Sequence, residues 1–410
     1  MTRSRMNGCV ATIALLAFAG TAYAQEAPAP SALDKAIAET KPIFEYRLRY
    51  ETVNQDGFTE NADALTSRIR AGFETGAFKN TKFLIDFDHI EAHENDFNST
   101  INGNTQFPVV PDPEVTELNR FQLSNTSLDD TVITIGRQRI IHDDSRFIGN
   151  VGWRQNEQTF DAVRMVNTSV EGLTFDVTYV DQVNRIFGDD SPVGRWDSES
   201  FFFDIDYKVP TEIAAVTISA YSYLLDFEND APGASSQTYG FQVLAKKGLF
   251  SGKARYAVQS DYGSQPIDYN TDYLNIEGTL SKSGFGGTIG YEVLGSDDGV
   301  KAFSAPLSTL HKFNGFADLF LATPADGLED IYGTISYTAK NVGPAKMIKA
   351  FATYHEFSSD VGGVDFGDEF NAVLVARFGR TTALFKYADY KAEEFAGDNA
   401  KFWAQIDWIF

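Results

Sequence analysis

The sequence predicts an all-β fold: a single antiparallel, up-and-down transmembrane β-barrel of about 18 strands with short periplasmic turns and long extracellular loops. Three observations carry this. The chain opens on an export signal, apolar and ionic residues alternate with period two over 43–410, and short and long links alternate between the resulting strands. Period two places residues i and i+2 on one face, and a membrane barrel needs one face for lipid and one for the lumen.

Residues 1–24 read as a signal peptide. Arg3 and Arg5 precede the apolar run Val10 to Gly20, and Ala22-Tyr23-Ala24 fits the small-x-small cleavage rule, so the exported chain is expected to start at Gln25. The run is too short for a spanning helix. Cys9, the single cysteine, lies within this signal and ahead of most of its apolar core, where a lipid-anchored cysteine would not stand. Without it, disulfides and thiolate chemistry are excluded. Removing Arg3 and Arg5 takes the formal charge from -23 to -25. There is no basic tail or lysine run, so nucleic acid is not an expected partner. Aromatic residues make up 14%, with 34 Phe and 18 Tyr, and no other stretch is apolar enough for a membrane helix.

Residues 25–42 are Ala/Pro-rich, lack the alternation, and read as a periplasmic segment or short plug. The barrel is expected over 43–410. In 43–53, Phe44, Tyr46, Leu48 and Tyr50 oppose Glu45, Arg47, Arg49 and Glu51. In 64–76, Leu65, Ile69, Ala71 and Phe73 oppose Arg68, Arg70 and Glu74; in 80–90, Phe83, Ile85 and Phe87 oppose Lys82, Asp86 and Asp88. The same reading gives strands at 118–127, 131–139, 158–168, 173–184, 199–208, 215–226, 236–246, 251–261, 271–280, 286–295, 329–340, 346–357, 368–378, 382–391 and 400–410. Links after even strands are short (77–79, 128–130, 341–345, 379–381), whereas those after odd strands are mostly long (91–117, 140–157, 185–198, 296–328). A soluble sandwich has no reason for that rhythm. His311 to Leu321 has apolar residues nearer helical spacing and is expected as a folded element inside the loop 296–328, not as a nineteenth strand. In the last strand Phe402, Ala404, Ile406, Trp408 and Phe410 share a face; a terminal aromatic on such a strand resembles the signal read by the bacterial barrel assembly machinery.

A barrel of this strand number encloses an aqueous lumen, and inward charges would set its selectivity. Of the 15 arginines after the signal, 12 lie between Arg47 and Arg195. Arg47, Arg49, Arg68 and Arg70 fall on the polar faces of two neighbouring strands, Arg120 and Arg164 are expected to join them, and Arg137, Arg139, Arg146 and Arg154 gather around 140–157. Guanidinium forks suit carboxylate or phosphate. Glu45, Glu51, Glu74, Asp86 and Asp88 share those faces, so the alternative is a lattice of salt bridges; a mixture of paired and free arginines is the expected outcome. Many acids, among them Glu91, Glu94, Asp96, Asp226, Asp230, Asp297, Asp360 and Asp365, are expected in outer loops facing lipopolysaccharide, where divalent cations would bridge them to phosphate. No twelve-residue calcium loop is present, and no metal or cofactor is expected. His89-Ile90-Glu91-Ala92-His93 has its glutamate misplaced for a zinc-protease motif and leaves a strand, not a helix; no nucleophile elbow, phosphate-binding loop or dinucleotide fingerprint occurs.

Gly136-Arg137-Gln138-Arg139-Ile140, Arg146-Phe147-Ile148-Gly149 and Gly152-Trp153-Arg154-Gln155-Asn156-Glu157-Gln158-Thr159-Phe160-Asp161 form one block that resembles the alginate export family of outer-membrane porins. His311 to Asp330, with Phe313-Asn314-Gly315-Phe316-Ala317-Asp318, Thr323-Pro324 and Gly327-Leu328-Glu329-Asp330, resembles that family's second block. The resemblance implies a monomeric barrel passing a uronate polyanion, guided by Arg137, Arg139, Arg146 and Arg154. The residues alone leave three readings open: an anion-favouring channel for anionic saccharides or small organic anions, a weakly selective diffusion porin, and a barrel hydrolase needing a Ser/His/acid group on adjacent strands.

Overall fold

The computed structural model describes residues 31–410; the expected export signal and the start of the 25–42 segment lie outside them. Ser31 opens a short helix, α1 (Ala32–Ala38), through a capping box: the Asp34 amide donates to Ser31 Oγ and the Ser31 amide to Asp34 Oδ2. Ala36 is buried, and its carbonyl accepts from the Gly76 amide at 2.9 Å. The helix therefore packs on the first short turn, at the end of the barrel where the first strand begins.

Eighteen strands follow in chain order. They are β1 Lys41–Gln55, β2 Ala62–Glu74, β3 Thr81–Asp96, β4 Val115–Asn125, β5 Thr131–Gln138 and β6 Thr159–Asn167. Next come β7 Leu173–Asn184, β8 Arg195–Val209, β9 Ala215–Leu225, β10 Ser236–Lys247, β11 Phe250–Ser260 and β12 Asn270–Lys282. The last are β13 Phe285–Leu294, β14 Leu328–Val342, β15 Ala345–Ser358, β16 Asp365–Phe378, β17 Thr381–Ala392 and β18 Asn399–Ile409. Each pairs antiparallel with its sequence neighbours, and β18 closes on β1 with Trp408 opposite Tyr46. Closure leaves no unpaired edge, which a hydrocarbon environment requires.

The wall is inside-out relative to a soluble barrel. Along β13 the exposed large apolar residues are Phe285 and Ile289, while Glu292 points inward and is buried; along β1, Arg49 and Glu51 are buried and Phe44 is exposed. At the short-turn end aromatic rings meet edge to face, Phe44 with Trp408, Phe73 with Phe83 and Phe83 with Phe121, forming part of an interfacial girdle. Phe410 joins it, its amide bonded to the Phe44 carbonyl at 3.0 Å. Ile289 is 74% exposed in the middle of β13. Ile289→Arg is therefore expected to lower the unfolding free energy by about 2–4 kcal/mol in urea titrations of vesicle-refolded protein, the depth-dependent cost of a cation facing lipid.

All links of five residues or fewer lie at one end. Four of them have two residues, and in one, Ser283 and Gly284 between β12 and β13, both lie in the left-handed region (φ 50° and 88°), as a two-residue hairpin with the sheet's own twist demands. The longest links, 97–114, 139–158 and 295–327, lie at the other end. The strand after Thr81 runs six residues beyond the expected end at 90, so Glu91, Glu94 and Asp96 belong to β3 and not to a loop. A register shift at Leu65/Thr66 lets β2 keep pairing with this polar extension. His311 to Leu321 holds one 3-10 turn (Leu310–Lys312) and no strand, so it is a folded element of the long link.

Candidate functional site

The three longest links fold into the lumen and meet there. A buried loop must find partners for its backbone, and arginines of the wall supply them. Arg47 Nη1 donates to the carbonyls of Gly152, Trp153 and Arg154 at 3.3, 3.1 and 3.1 Å; Arg49 donates to Trp153, and Arg68 to Gln155 at 3.1 Å. Asp112 of the first long link accepts the Gln155 amide at 2.8 Å. The link 295–327 joins through Gly149 N to Leu307 O at 2.8 Å and Thr309 N to Ser145 O at 3.0 Å.

On the opposite flank Glu369 of β16 accepts the amides of Phe316 and Ala317 at 2.5 and 2.9 Å, and Lys401 of β18 bonds Asp318 at 2.9 Å. The turn these contacts hold needs Asn314 and Gly315 in the left-handed region, and a Cβ on Gly315 would meet Glu369 Oε2 at 2.2 Å. Residues 314–318 thereby divide the lumen. Ala317 and Asp318 border an outer cavity of about 490 Å³; Asn314, Gly315 and Phe316 border an inner one of about 530 Å³.

Each of the ten arginines singled out in the sequence lies within ion-pair distance of a carboxylate. Arg47 pairs with Asp407 (2.8 Å), Arg49 with Asp112 (3.5 Å) and Arg68 with Glu45 (3.1 Å); Arg70 bridges Asp88 (2.6 Å) and Glu157 (2.8 Å). Arg120 pairs with Asp86, Arg137 with Asp161 (2.8 Å), Arg139 with Glu157 (2.5 Å), Arg146 with Glu292 (2.8 Å) and Arg164 with Asp176. Arg154 faces three acids, Glu51 (3.0 Å), Asp112 (3.7 Å) and Asp318 (3.3 Å). The arginines grade in accessibility, with Arg47 and Arg120 between the extremes at 12% and 14% of their side chains exposed. Arg49, Arg68, Arg70, Arg146 and Arg154 are buried and bind loops, whereas Arg137, Arg139 and Arg164 keep 17%, 31% and 23% of their side chains exposed. Glu74 pairs with Lys82 and with none of the arginines.

The loop groups show how tightly the network compensates charge. Burial would raise the Glu157 carboxyl, but the Arg70 and Arg139 guanidiniums hold it well below the usual carboxylate range. Burial would likewise raise Asp318, and His311 and Lys401 hold it down. His142 is neutral, lowered to about 4 by burial despite Asp176 beside it. Roughly across the lumen from β1, β8 turns Asp204 and Asp206 inward, with Tyr223 and Ser219 as hydrogen-bond donors in place of cations. The β1–β6 side of the lumen thus carries arginines paired with carboxylates, whereas the acids of β8 are held by hydroxyl donors.

Sequence reasoning missed Lys386, Lys401, Glu369, Asp318 and Arg185. Lys386, buried on the inward face of β17, contacts His311 Nε2 at 2.6 Å and lies over the rings of Trp153 and Phe316. Period two would have placed Lys386, Lys401 and Glu369 inward, but nothing local says that a loop 50 to 80 residues away descends to meet them. Among the described residues no group of three or more His, Cys, Asp or Glu is placed to hold a metal. His89 and His93 stand on β3 bonded to Thr116 and Ser67. The Ser67–His93 pair (2.9 Å) faces outward, and among the described residues no carboxylate bonds the second imidazole nitrogen, which a nucleophile's base needs for orientation.

Solved structures share this architecture. OpdO of Pseudomonas aeruginosa matches with a TM-score of 0.70 at 13% identity, over 92% of this chain and 99% of that one. OccK5 (OpdH) of the same organism gives 0.68 at 14% over 92% and 99%, and OccAB4 of Acinetobacter baumannii 0.69 at 13% over 91% and 98%. The likeness is one of fold, over the whole closed barrel whose sheet has 18 antiparallel strands here. No protein-family model and no curated protein matches the chain, so the alginate-export resemblance rests on its two sequence blocks.

Proposed function

We propose that this barrel is a passive outer-membrane channel that favours anions, with carboxylate-bearing solutes, uronate-like saccharides or small organic acids, as its cargo. The observation that carries the reading is that Arg137, Arg139 and Arg164 stay partly accessible while Arg49, Arg68, Arg70, Arg146 and Arg154 are buried in the contacts that hold the loops. Arg137, Arg139 and Arg164 are engaged by one carboxylate each yet stay in contact with water. An anion exchanging with Asp161, Glu157 or Asp176 gains and loses similar contacts, which suits passage better than trapping. Uronate chains fit the family resemblance; the pairing of every one of these arginines favours a second reading, a weakly selective diffusion porin. The solved neighbours named OpdO, OccK5 and OccAB4 support a channel role through their fold.

Replacing Arg137, Arg139 and Arg164 together by glutamine tests the reading. Galacturonate influx into proteoliposomes is expected to fall several-fold relative to galactose influx, with the barrel still assembled because Glu157 keeps Arg70 and the strand ladders are untouched. An unaltered ratio would favour the weakly selective porin. We also propose that Phe410 and the outward face of β18 are what the barrel assembly machinery reads. The outer rim is proposed to face lipopolysaccharide, although Asp226, Asp230, Asp297, Asp360 and Asp365 already accept backbone amide or hydroxyl donors.

A further inference from the structure

The outer cavity has one basic group that no acid neutralises. Arg185 follows β7 in the link 185–194, and among the described residues no carboxylate lies within ion-pair distance of it. Its guanidinium carbon sits 3.8 Å from the Trp196 ring centroid and 4.8 Å from that of Phe187, and Nη1 donates to the Val193 carbonyl at 3.0 Å. No other hydrogen bond leaves that guanidinium among the described residues. The head group is therefore held in a fixed plane between two rings with part of its donor edge unused. Burial without a counter-charge lowers its pKa to about 10, so it stays cationic at neutral pH. The other cations lining the cavity, Arg154 and Lys401, are both committed to Asp318.

The cavity walls near the mouth are apolar: Phe58, Val109, Pro111, Ile186 and Phe187 line it, and Val109 is 43% exposed. A hydrated uronate would lose water from several hydroxyls against such walls without regaining hydrogen bonds. An anion with an apolar body loses none.

We propose that the outer cavity is a docking site for amphiphilic organic acids, an apolar body against the mouth-side walls and one carboxylate on the free edge of Arg185. This rests on the anion-channel reading and narrows its cargo. A planar guanidinium backed by tryptophan offers two parallel donors to a carboxylate. The site sits before the 314–318 partition, so it gathers solute at the point where diffusion narrows.

The test is ion current through the reconstituted full-length barrel with 3-phenylpropionate, galacturonate or 3-phenyl-1-propanol added on the long-loop side. 3-Phenylpropionate is expected to reduce the current at a concentration about tenfold below either other probe, the factor carried by one charge-assisted contact of 1.4 kcal/mol. Arg185→Gln is expected to raise that concentration about tenfold. Galacturonate acting as well as 3-phenylpropionate, the alcohol acting as well as the acid, or an unaltered Arg185→Gln response each overturn the site. The three-probe comparison on the unmodified barrel decides even if the variant does not assemble. Selectivity in the same membranes separates the two levels: a cation-selective pore blocked by 3-phenylpropionate overturns the channel reading alone, and an anion-selective pore indifferent to it overturns the site alone.

Discussion

Replacing residues 311–318 by a three-residue glycine–serine linker is expected to raise single-channel conductance several-fold. These residues carry the partition between the two lumen cavities of about 490 and 530 Å³, and an 18-stranded barrel without a plug encloses a continuous aqueous channel. Conductance is set by the narrowest section, so removing the partition should act far more strongly than removing any one charge. The excision also deletes Asp318, releasing Lys401 and Arg154 from it and taking His311 away from Lys386. Anion preference should therefore increase along with conductance. Glu369→Ala is a milder version: the amides of Phe316 and Ala317 lose their acceptor, the turn remains, and the expected record is a noisier open level. Equal conductance in the excised and intact barrels would show that solute does not cross the 314–318 turn.

Arg154→Ala is expected to loosen the loop 139–158 and shift selectivity toward cations. Its guanidinium is buried among Glu51, Asp112 and Asp318, whose attraction more than offsets the burial penalty and raises its pKa. Truncation leaves buried carboxylates without their shared cation, a change that costs about 3–5 kcal/mol. That corresponds to a rise of about 10² to 4 × 10³ in the opening equilibrium of the segment, at tenfold per 1.4 kcal/mol, readable as faster amide hydrogen exchange over residues 150–158. The cost is local because the wall strands keep their ladders. Arg154→Lys retains the charge without the fork and should fall between the two. Arg164→Gln, on an accessible pair, should leave exchange in the loop unchanged.

The wall was legible in the sequence because each strand carries its own evidence: period two needs no knowledge of the partner. Most boundaries agree within about two residues, and the main departures, at β3 and the start of β8, occur where polar residues keep pairing beyond the apolar stretch. The inward direction of Arg47, Arg49, Arg68 and Arg70 was legible for the same reason. Their partners were only partly so. Asp88 and Glu45 lie on adjacent strands, but Arg47 finds Asp407 across the β1–β18 closure, 360 residues away, and the carbonyls of a loop 105 to 107 residues on. Loop descent is decided by such long-range pairs, and no local pattern encodes them. Arg185 escaped for another reason: its meaning lies in the absence of a nearby acid, which only the assembled mouth reveals.

Anion preference is read most simply from the reversal potential of the intact barrel in a potassium chloride gradient. The expected potential has the sign produced when chloride crosses faster than potassium and is reduced toward zero by the triple replacement of Arg137, Arg139 and Arg164. A potential of the opposite sign in the unmodified barrel, with potassium the faster ion, would contradict it.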